Sequence, residues 1–338
     1  MAKMSAVVIG GGSWGTALAK VLAENDYATR LWCRELDLVD TINQQHVNSL
    51  YLPGITLPDN LTAHGQLADA LAATDIKVVM LVVPSHHLRS VARQLVDLLP
   101  SDVPIMSAVK GIENDSLEFP SQILEGTLPA RLHPQLTFLS GPSFAKEVAL
   151  GVPTGVLVAG REESYAILAQ EALGNQRLRV YRTDDVIGVE IGGCLKNVVA
   201  IAAGISDGLG FGHNSRAALI TRGLAEIGRL AAKLGAHPLT VSGLSGMGDL
   251  VLTCTGDLSR NRQVGLELGR GKKLPEILSE MTMVAEGVLT AKSAYQLSRR
   301  EGVEMPITEG IYRVLYEHSD PREEVAGLMA RSPRPERD

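Results

Sequence analysis

Short apolar runs alternate with longer amphipathic stretches through the first half of the chain. The apolar runs predict strands at residues 6–9, 28–32, 77–83, 104–109, 136–139 and 154–159. Between them lie stretches with a helical spacing of apolar residues, such as 13–25, 87–99 and 162–173. Strands and helices that alternate in this way are typical of a parallel sheet covered by helices. We therefore expect an N-terminal α/β domain with a mostly parallel sheet.

The pattern changes after about residue 183, where strand-like runs cease and helical spacing continues. Residues 217–234 show it, with apolar side chains on one helical face at Leu219, Leu224, Ile227, Leu230 and Leu234. This predicts an all-helical C-terminal domain. The expected boundaries are residues 1–182 for the α/β domain and 183–330 for the helical domain. The tail, residues 331–338, combines proline with mixed charge and has little to bury, so we expect it to be disordered.

A glycine-rich turn, GGGSWG, joins the first predicted strand to the first predicted helix. Gly10, Gly12 and Gly15 fit the spacing G-x-G-x-x-G, in which the glycines make a tight turn, let a pyrophosphate approach and pack helix on strand. The free amides and the dipole at a helix N-terminus favour such an anion. A glycine turn without a ligand would carry the same letters, but the flanking strand and helix favour a Rossmann-like dinucleotide site.

The end of the second predicted strand bears on the choice of cofactor. In NAD-type folds an acidic residue about 20 positions beyond the turn bonds the ribose hydroxyl. Here Arg34 stands in that place, in the sequence LWCRE, and a guanidinium can pair with a 2′-phosphate. We therefore expect NADPH as the cofactor, while the neighbouring Glu35 leaves NADH open. The alternative for Arg34 is an ordinary surface arginine.

Further polar residues stand where predicted strands end, which is where ligands bind in open parallel sheets. Lys110 follows the fourth predicted strand, and Gly141 and Ser143 follow the fifth. Lys110 is well placed to meet an oxygen of a small substrate, the alternative being an ordinary surface lysine. His86 and His87 follow the third strand without partners at metal-ligand spacing, so we expect no metal.

Lys196 lies in the middle of an apolar stretch with helical spacing, VIGVEIGGCLKNVVAIAAGISDG. Its neighbours on the helix are small, so its face carries little side-chain bulk. Desolvation lowers the pKa of an ammonium group toward the range in which it exchanges protons near neutral pH. Lys196 is therefore the candidate proton donor and acceptor. A structural lysine paired with Glu190 or Asp207 is the alternative.

Asp249 is the candidate partner of Lys196, since the sequence around it, SGMGDLVLTC, carries no other charge. Further along, Ser259 is a candidate N-cap of a helix, which leaves Arg260 and Asn261 in the first turn. A helix N-terminus that carries an arginine and an amide favours a phosphate. A polar cap with surface arginines is the other interpretation.

Composition narrows the class of protein. The formal net charge is -6 over 338 residues and there is no long basic block, which argues against nucleic acid as a partner. Cys33, Cys194 and Cys254 are far apart, so neither disulfides nor a zinc site is indicated. No stretch approaches the roughly 20 apolar residues of a membrane span, and no secretory signal is recognised. We expect a cytoplasmic protein.

These motifs resemble those of bacterial-type NAD(P)-dependent glycerol-3-phosphate dehydrogenases. The similarity runs from Ser5 to about Ala330 and is most specific at GCLKNVVAIAAGISDGLGFGHN, residues 193–214. SGPSFAKE, LITRGLAE, GMGDLVLTC, SRNR and EMPIT stand in the order of the family. The resemblance implies reversible reduction of dihydroxyacetone phosphate to sn-glycerol 3-phosphate, a precursor of glycerophospholipids. Cys194 departs from the alanine or threonine usual in the family but is similarly small.

The resemblance also implies roles for single residues, with Lys196 as the group that donates and accepts the proton. The implied substrate contacts are Lys110, Gly141, Ser143, Lys196, Asp249, Ser259, Arg260 and Asn261. The implied cofactor contacts, beside the glycine turn, are Ser13, Trp14, Arg34, Lys110, Ala145, Arg260, Val284 and Glu286. Of these, Ala145, Val284 and Glu286 rest on the resemblance alone.

Two other functions stay open at this point. Related two-domain reductases act on other small keto or 2-hydroxy acids, and a protein that senses NADPH without turnover would share the cofactor site. A sensing protein would leave Lys196 in its small-residue setting without a purpose. A homodimer is retained as the candidate assembly.

Overall fold

The computed structural model describes residues 4–333 and 335–336. The strands in this part of the chain are β1 (Ser5–Ile9), β2 (Ala28–Trp32), β3 (Val47–Asn48), β4 (Leu52–Thr56), β5 (Leu61–His64), β6 (Ile76–Leu81), β7 (Ile105–Ser107), β8 (Leu136–Ser140), β9 (Thr154–Gly160) and β10 (Leu178–Thr183). The earlier helices are α1 (Ser13–Glu24), α2 (Leu36–Gln45), α3 (Leu67–Leu71), α4 (Leu88–Leu95), α5 (Pro120–Thr127), α6 (Ala145–Ala149) and α7 (Glu163–Leu173). The later helices are α8 (Val186–Gly208), α9 (His213–Lys233), α10 (Pro238–Ser242), α11 (Asp249–Thr255), α12 (Arg260–Gly269), α13 (Leu274–Ser279), α14 (Glu286–Glu301), α15 (Pro306–Tyr316) and α16 (Pro321–Met329).

Eight strands form one sheet in the spatial order β10, β9, β8, β7, β6, β1, β2, β5. Neighbouring strands are parallel except β8 and β9, which are antiparallel. This confirms the expected mostly parallel sheet, followed by a helical region from α8 onward. Since β1 pairs with both β2 and β6, the chain order reverses at β1, and the glycine turn that follows it lies at the switch point where such sheets bind ligands.

The strands at the edges of the sheet and the small β3–β4 pair are not among the predicted strands. β5 reads LTAH and β10 reads LRVYRT, and in both strands buried and more exposed residues alternate. Edge strands that are buried on one face alternate in this way, whereas the strands predicted from the sequence, apart from β2 (ATRLW), are mainly apolar runs. Apolar runs therefore predict most of the central strands and not the edge strands.

Helix α8 is the centre of the helical region. Helices α9, α11, α12, α14 and α15 all pack against it. It is the one helix in the described part of the chain that is long and apolar enough to cross a membrane, with a mean hydropathy of 1.7 in its most apolar window, although the sequence analysis found no such stretch. Because 94% of that window is buried inside the protein, its apolar character is accounted for by its place in the core.

Glycines bring α8 and α12 into backbone contact. A Cβ at Gly204 of α8 would lie 2.0 Å from the carbonyl oxygen of Arg262, and a Cβ at Gly265 of α12 would lie 2.0 Å from that of Ile201. No side chain larger than hydrogen fits at either position, because both clashes are with backbone. The crossing of the two helices is therefore set by main-chain contact.

The end of the described chain bears on the predicted tail. Residues 331–333 and 335–336 belong to none of the helices or strands above. Residues 334 and 337–338 of the predicted disordered tail lie outside the described residues. The disorder expected for the tail stays a prediction.

Candidate active site

The glycine turn after β1 has one open position between two closed ones. Gly10 has φ +128°, and a Cβ there would lie 2.3 Å from the carbonyl oxygen of Val82. At Gly15 a Cβ would lie 1.9 Å from the carbonyl oxygen of Gly10. At Gly12, by contrast, a Cβ would meet nothing within 4 Å. The first and third glycines are thus required by the fold, and the second leaves space where a pyrophosphate can approach the backbone.

The N-terminus of α1 faces this open position. Gly12 is its N-cap and no side chain caps it, so its first amides are available to an anion. The turn is held from behind by Asn48, whose Nδ2 donates to the Gly11 carbonyl oxygen at 2.9 Å and to Thr16 Oγ1 at 2.7 Å. Asn48 lies in β3, distant in sequence from the turn, and belongs to no recognised motif, so the sequence did not indicate its role.

Two lysines share one buried carboxylate beyond the carboxyl ends of the strands. Lys196 Nζ, on α8, donates to Asp249 Oδ1 at 2.5 Å and to Thr253 Oγ1 at 3.0 Å. Lys110 Nζ donates to Asp249 Oδ2 at 2.7 Å. The predicted pairing of Lys196 with Asp249 is therefore present. Thr253 is not among the predicted site residues, although it lies one helical turn beyond Asp249 on α11.

Burial and charge act against each other in this cluster. Burial lowers the pKa of Lys196 to about 8, although the charge of Asp249 opposes that effect. Burial would raise the pKa of Asp249, but the charges of Lys110 and Lys196 outweigh it and hold the pKa below its ordinary value. The result is an ionised carboxylate beside an ammonium group that can exchange its proton near neutral pH.

The acids considered as alternative partners of Lys196 bond elsewhere. Glu190 accepts from the amide and the hydroxyl of Ser121 at 2.7 and 2.6 Å. Asp207 accepts from Arg262 Nη2 at 2.7 Å. Neither acid therefore holds Lys196 in place, which leaves Asp249 as its acidic partner.

The small residues near Lys196 serve packing and do not leave empty space around it. A Cβ at Gly193 would lie 2.7 Å from Ser140 Oγ, and a Cβ at Gly192 would lie 2.5 Å from the carbonyl oxygen of Ser245. From the sequence, small neighbours such as these glycines predict a helical face with little side-chain bulk around Lys196. They instead let α8 press against the end of β8 and against the turn before α11, which brings Lys196 to the strand ends.

The other predicted substrate residues follow β8 and lie near Lys110. Gly141 has φ +124°, and its carbonyl oxygen accepts from Lys110 Nζ at 3.4 Å. The hydroxyl of Ser143 donates to the same oxygen at 3.0 Å. The structure therefore brings Gly141, Ser143 and Lys110 together, as expected from the sequence.

The first turn of α12 presents an arginine without a hydrogen-bonded partner. Ser259 caps the helix by accepting from the Arg262 amide at 3.2 Å, as predicted. Arg260 is half-buried, and among the described residues nothing bonds its guanidinium. Burial lowers the pKa of Arg260, while the charge of Glu286 opposes the shift. A shielded, unbonded guanidinium at a helix N-terminus is a favourable place for an anion.

Asn261 is held on both sides of its amide group. Its Nδ2 donates to Asn197 Oδ1 at 2.9 Å, and its Oδ1 accepts from the Gly287 amide at 2.9 Å. Nδ2 keeps a second hydrogen for a ligand. Asn197, which the sequence analysis missed, follows Lys196 directly and joins α8 to α12.

Glu286 links the helical region to the end of β6. Its Oε1 accepts from the Ser85 amide at 3.0 Å and its Oε2 from the Ser85 hydroxyl at 2.6 Å.

Val284, just before α14, is exposed. Trp14 and Ala145 are partly buried and pack against the same core cluster of the α/β domain. Trp14 and Ala145 therefore share one cluster beside the glycine turn, while Val284 lies on the surface.

Arg34 lies at the surface beyond β2, paired with its neighbour. Its side chain is 70% exposed, and Nη2 donates to Glu35 Oε1 at 2.8 Å. Tyr51 also donates to Glu35 Oε1, at 3.2 Å. Burial lowers the pKa of His86, and the charge of Arg34 lowers it further. The charge of Arg34 therefore acts on the segment that follows β6. Within the described residues no group of His, Cys, Asp and Glu is arranged to bind a metal.

Comparisons with known proteins match this arrangement over nearly the whole chain. The family model for the N-terminus of NAD-dependent glycerol-3-phosphate dehydrogenase matches residues 5–166, and that for the C-terminus matches residues 185–326. The chain belongs to this family. This makes the protein an oxidoreductase that uses a nicotinamide cofactor, and it confirms the resemblance found in the sequence.

Individual relatives are similar over their full length. A protein of Syntrophotalea carbinolica named glycerol-3-phosphate dehydrogenase (NAD(P)+) is 53% identical over 335 residues, 99% of this chain and 100% of that protein. One of the same name from Myxococcus xanthus is 53% identical over 333 residues, 98% of this chain and 99% of the other. The crystal structure of a glycerol-3-phosphate dehydrogenase from Coxiella burnetii superposes with a TM-score of 0.91 at 40% identity, covering 97% and 99% of the two chains.

Proposed function

We propose that the protein reduces dihydroxyacetone phosphate to sn-glycerol 3-phosphate, and catalyses the reverse oxidation, with NADPH as the preferred cofactor. The observation that carries the proposal is the shared carboxylate, Asp249, bonded to Lys196 and Lys110 at 2.5 and 2.7 Å. Asn197, next to Lys196 on α8, accepts from Asn261 in the first turn of α12 at 2.9 Å. A proton donor and an anion site at the strand ends suit a small phosphorylated ketone.

Lys196 acts as the general acid of the reduction. With a pKa of about 8, its amine is mostly protonated at neutral pH and can give a proton to the carbonyl oxygen of the substrate. Asp249 stays ionised and keeps the amine in place. Lys110 supplies a second positive charge where negative charge develops on that oxygen. In the oxidation the neutral amine of Lys196 takes the proton back.

The first turn of α12 binds the phosphate. Arg260 brings a guanidinium without a hydrogen-bonded partner, and Asn261 offers the free hydrogen of its Nδ2. Ser259 and the helix amides complete the anion site. Because the phosphate is remote from the carbonyl, holding it fixes the ketone for reaction, and its loss lowers turnover as well as affinity.

The cofactor is assigned to the crevice that follows β1. When bound, the reduced nicotinamide supplies the hydride. The space at Gly12 and the uncapped α1 amides suit its pyrophosphate, and Arg34 suits a 2′-phosphate. The remaining cofactor contacts in the proposal are Ser13, Trp14, Lys110, Ala145, Arg260, Val284 and Glu286. Glu35, which already bonds Arg34, is the residue that would favour NADH.

The proposal includes the organisation of the chain and its setting. Residues 1–182 form the dinucleotide-binding domain and residues 183–330 the substrate domain. The reaction takes place in the cytoplasm and supplies the backbone of glycerophospholipids. A homodimer is the assembly to test, and light scattering of the purified protein measures it directly.

A steady-state assay tests the proposed reaction. Oxidation of NADPH and of NADH is followed with dihydroxyacetone phosphate and, in parallel, with a panel of small 2-keto acids. We expect turnover with dihydroxyacetone phosphate and a higher kcat/KM with NADPH. Faster turnover of a keto acid would contradict the substrate, and tight NADPH binding without turnover on any ketone would favour a sensing protein.

A further inference from the structure

Arg260 and Arg262 stand close together in the first turn of α12 but differ in their partners. Arg262 Nε and Nη2 donate to Asp207 Oδ2 at 3.0 and 2.7 Å, and Nη1 donates to Asp257 Oδ1 at 2.9 Å. Arg260 makes no such bond within the described residues. Asp207 and Asp257 thus bind Arg262, while Glu286, whose charge acts on Arg260, bonds Ser85 and leaves the Arg260 guanidinium for a ligand.

Asp207, near the end of α8, is the more important of the two acids. The side chains of Asp207 and Arg262 are each only 12% exposed, whereas that of Asp257 is 96% exposed. Asp207 also accepts from Arg216 Nη1 at 3.1 and 3.2 Å. A charge-assisted pair shielded from water holds its geometry better than an exposed pair, which solvent competes for.

The same helix also holds the backbone of Arg262. A Cβ at Gly204 would lie 2.0 Å from the Arg262 carbonyl oxygen, so the main chains of α8 and α12 touch there. Gly204 and Asp207 are three residues apart and therefore share one face of α8. Helix α8 thus contacts Arg262 at both its backbone and its side chain, and the same helix carries Lys196.

We propose that Asp207 is a positioning residue for the phosphate end of the substrate. By holding Arg262 against α8, Asp207 fixes the first turn of α12 and so the places of Arg260 and Asn261 relative to Lys196. The inference rests on the proposed function, in which that turn binds phosphate. A carboxylate that acted only through its charge would repel the phosphate, so its removal would strengthen phosphate binding. If Asp207 acts by positioning, its removal weakens phosphate binding instead.

The variant Asp207→Asn distinguishes stronger from weaker phosphate binding, because asparagine keeps the shape of the side chain and removes its charge. The measurements are KM for dihydroxyacetone phosphate, the dissociation constant of inorganic phosphate by calorimetry, and kcat/KM for unphosphorylated dihydroxyacetone. We expect the KM for dihydroxyacetone phosphate and the dissociation constant of phosphate to rise about tenfold, which is the effect of losing one charge-assisted hydrogen bond. The value for dihydroxyacetone should stay within about twofold, because that ketone does not use the phosphate site.

Asp257→Asn is the matched control, since it removes an exposed acid from the same guanidinium, and both phosphate constants should stay within about twofold of wild type. Arg262→Lys is the second variant, because lysine keeps the charge but not the paired bonds, and it should act like Asp207→Asn. If Asp207→Asn does not fold, the phosphate constants of Arg262→Lys test the proposal in its place.

Phosphate binding that is unchanged or tighter in folded Asp207→Asn would overturn the proposal. An equal loss with both ketones would also overturn it, because that pattern indicates general damage to the site. Calorimetry with inorganic phosphate needs no turnover. A wild type that binds phosphate but does not reduce dihydroxyacetone phosphate would therefore contradict the proposed function alone.

Discussion

Replacing Asp249 with asparagine tests how the two lysines control the proton. In the wild-type protein Asp249 accepts from Lys196 and Lys110 at 2.5 and 2.7 Å, and its charge raises the pKa of Lys196 against the effect of burial. Asparagine has nearly the same shape but no charge. In the variant, burial and repulsion from Lys110 act together, and both lower the pKa of Lys196.

The size of the shift follows from the charge that is lost. Two unit charges about 4 Å apart interact by about 4 kcal/mol at an effective dielectric constant of about 20, and one pKa unit corresponds to about 1.4 kcal/mol. Water that enters beside the uncharged amide offsets part of this energy. We therefore expect the pKa of Lys196 to fall from about 8 by at least about one unit in Asp249→Asn.

The pH dependence of kcat in both directions measures this shift. In the proposed mechanism reduction needs the protonated amine, so its rate should fall as the pH rises through the pKa of Lys196, while oxidation needs the neutral amine and its rate should rise. Both transitions should lie near pH 8 in the wild type and at lower pH in Asp249→Asn. Thr253→Val is the control, because it removes a hydrogen bond to Lys196 but no charge. A transition that stays in place or moves to higher pH in Asp249→Asn would refute this account of the site.

Two further predictions concern the cofactor. Arg34→Ala should lower the ratio of kcat/KM for NADPH to that for NADH by about tenfold or more, because the proposal pairs the exposed guanidinium with the 2′-phosphate; an unchanged ratio would exclude Arg34 from that role. Gly12→Val should fold normally, since a Cβ at Gly12 meets nothing within 4 Å, but should raise the Kd of NADPH at least about tenfold by blocking the pyrophosphate. Gly10→Val is its counterpart and should give little folded protein, because a Cβ there would lie 2.3 Å from a backbone oxygen. Tight NADPH binding by Gly12→Val would contradict the assignment of the crevice.

The parts of the fold that the sequence predicted are those with strong local patterns. The predicted helix 162–173 appears as Glu163–Leu173, because its apolar spacing is helical, and the predicted strand 154–159 appears as Thr154–Gly160, because it is mainly an apolar run. Edge strands such as β10 alternate between buried and exposed residues and gave no continuous run. Asn48, which bonds the glycine turn through Nδ2, was missed because its effect depends on a contact distant in sequence.

Local sequence patterns likewise predict only some of the residues of the candidate site. Lys196, Asp249 and Ser259 were found from their local sequence, since a charge in an apolar helix or a serine before a helix is unusual or favourable there. Their partners were harder to find. Thr253 and Asn197 are ordinary polar residues in the sequence, and only the packing of α8 against α11 and α12 brings them to Lys196 and Asn261.

The central claim is that the Lys196 amine exchanges the proton of the reaction, and Lys196→Ala tests it most directly. The measurement is the rate of NADPH oxidation in a single turnover with saturating dihydroxyacetone phosphate, together with the Kd of NADPH. We expect the rate to fall at least about 100-fold, the lower end of general acid catalysis, while the Kd stays within about twofold of wild type. Turnover close to that of the wild type in folded Lys196→Ala would contradict the claim.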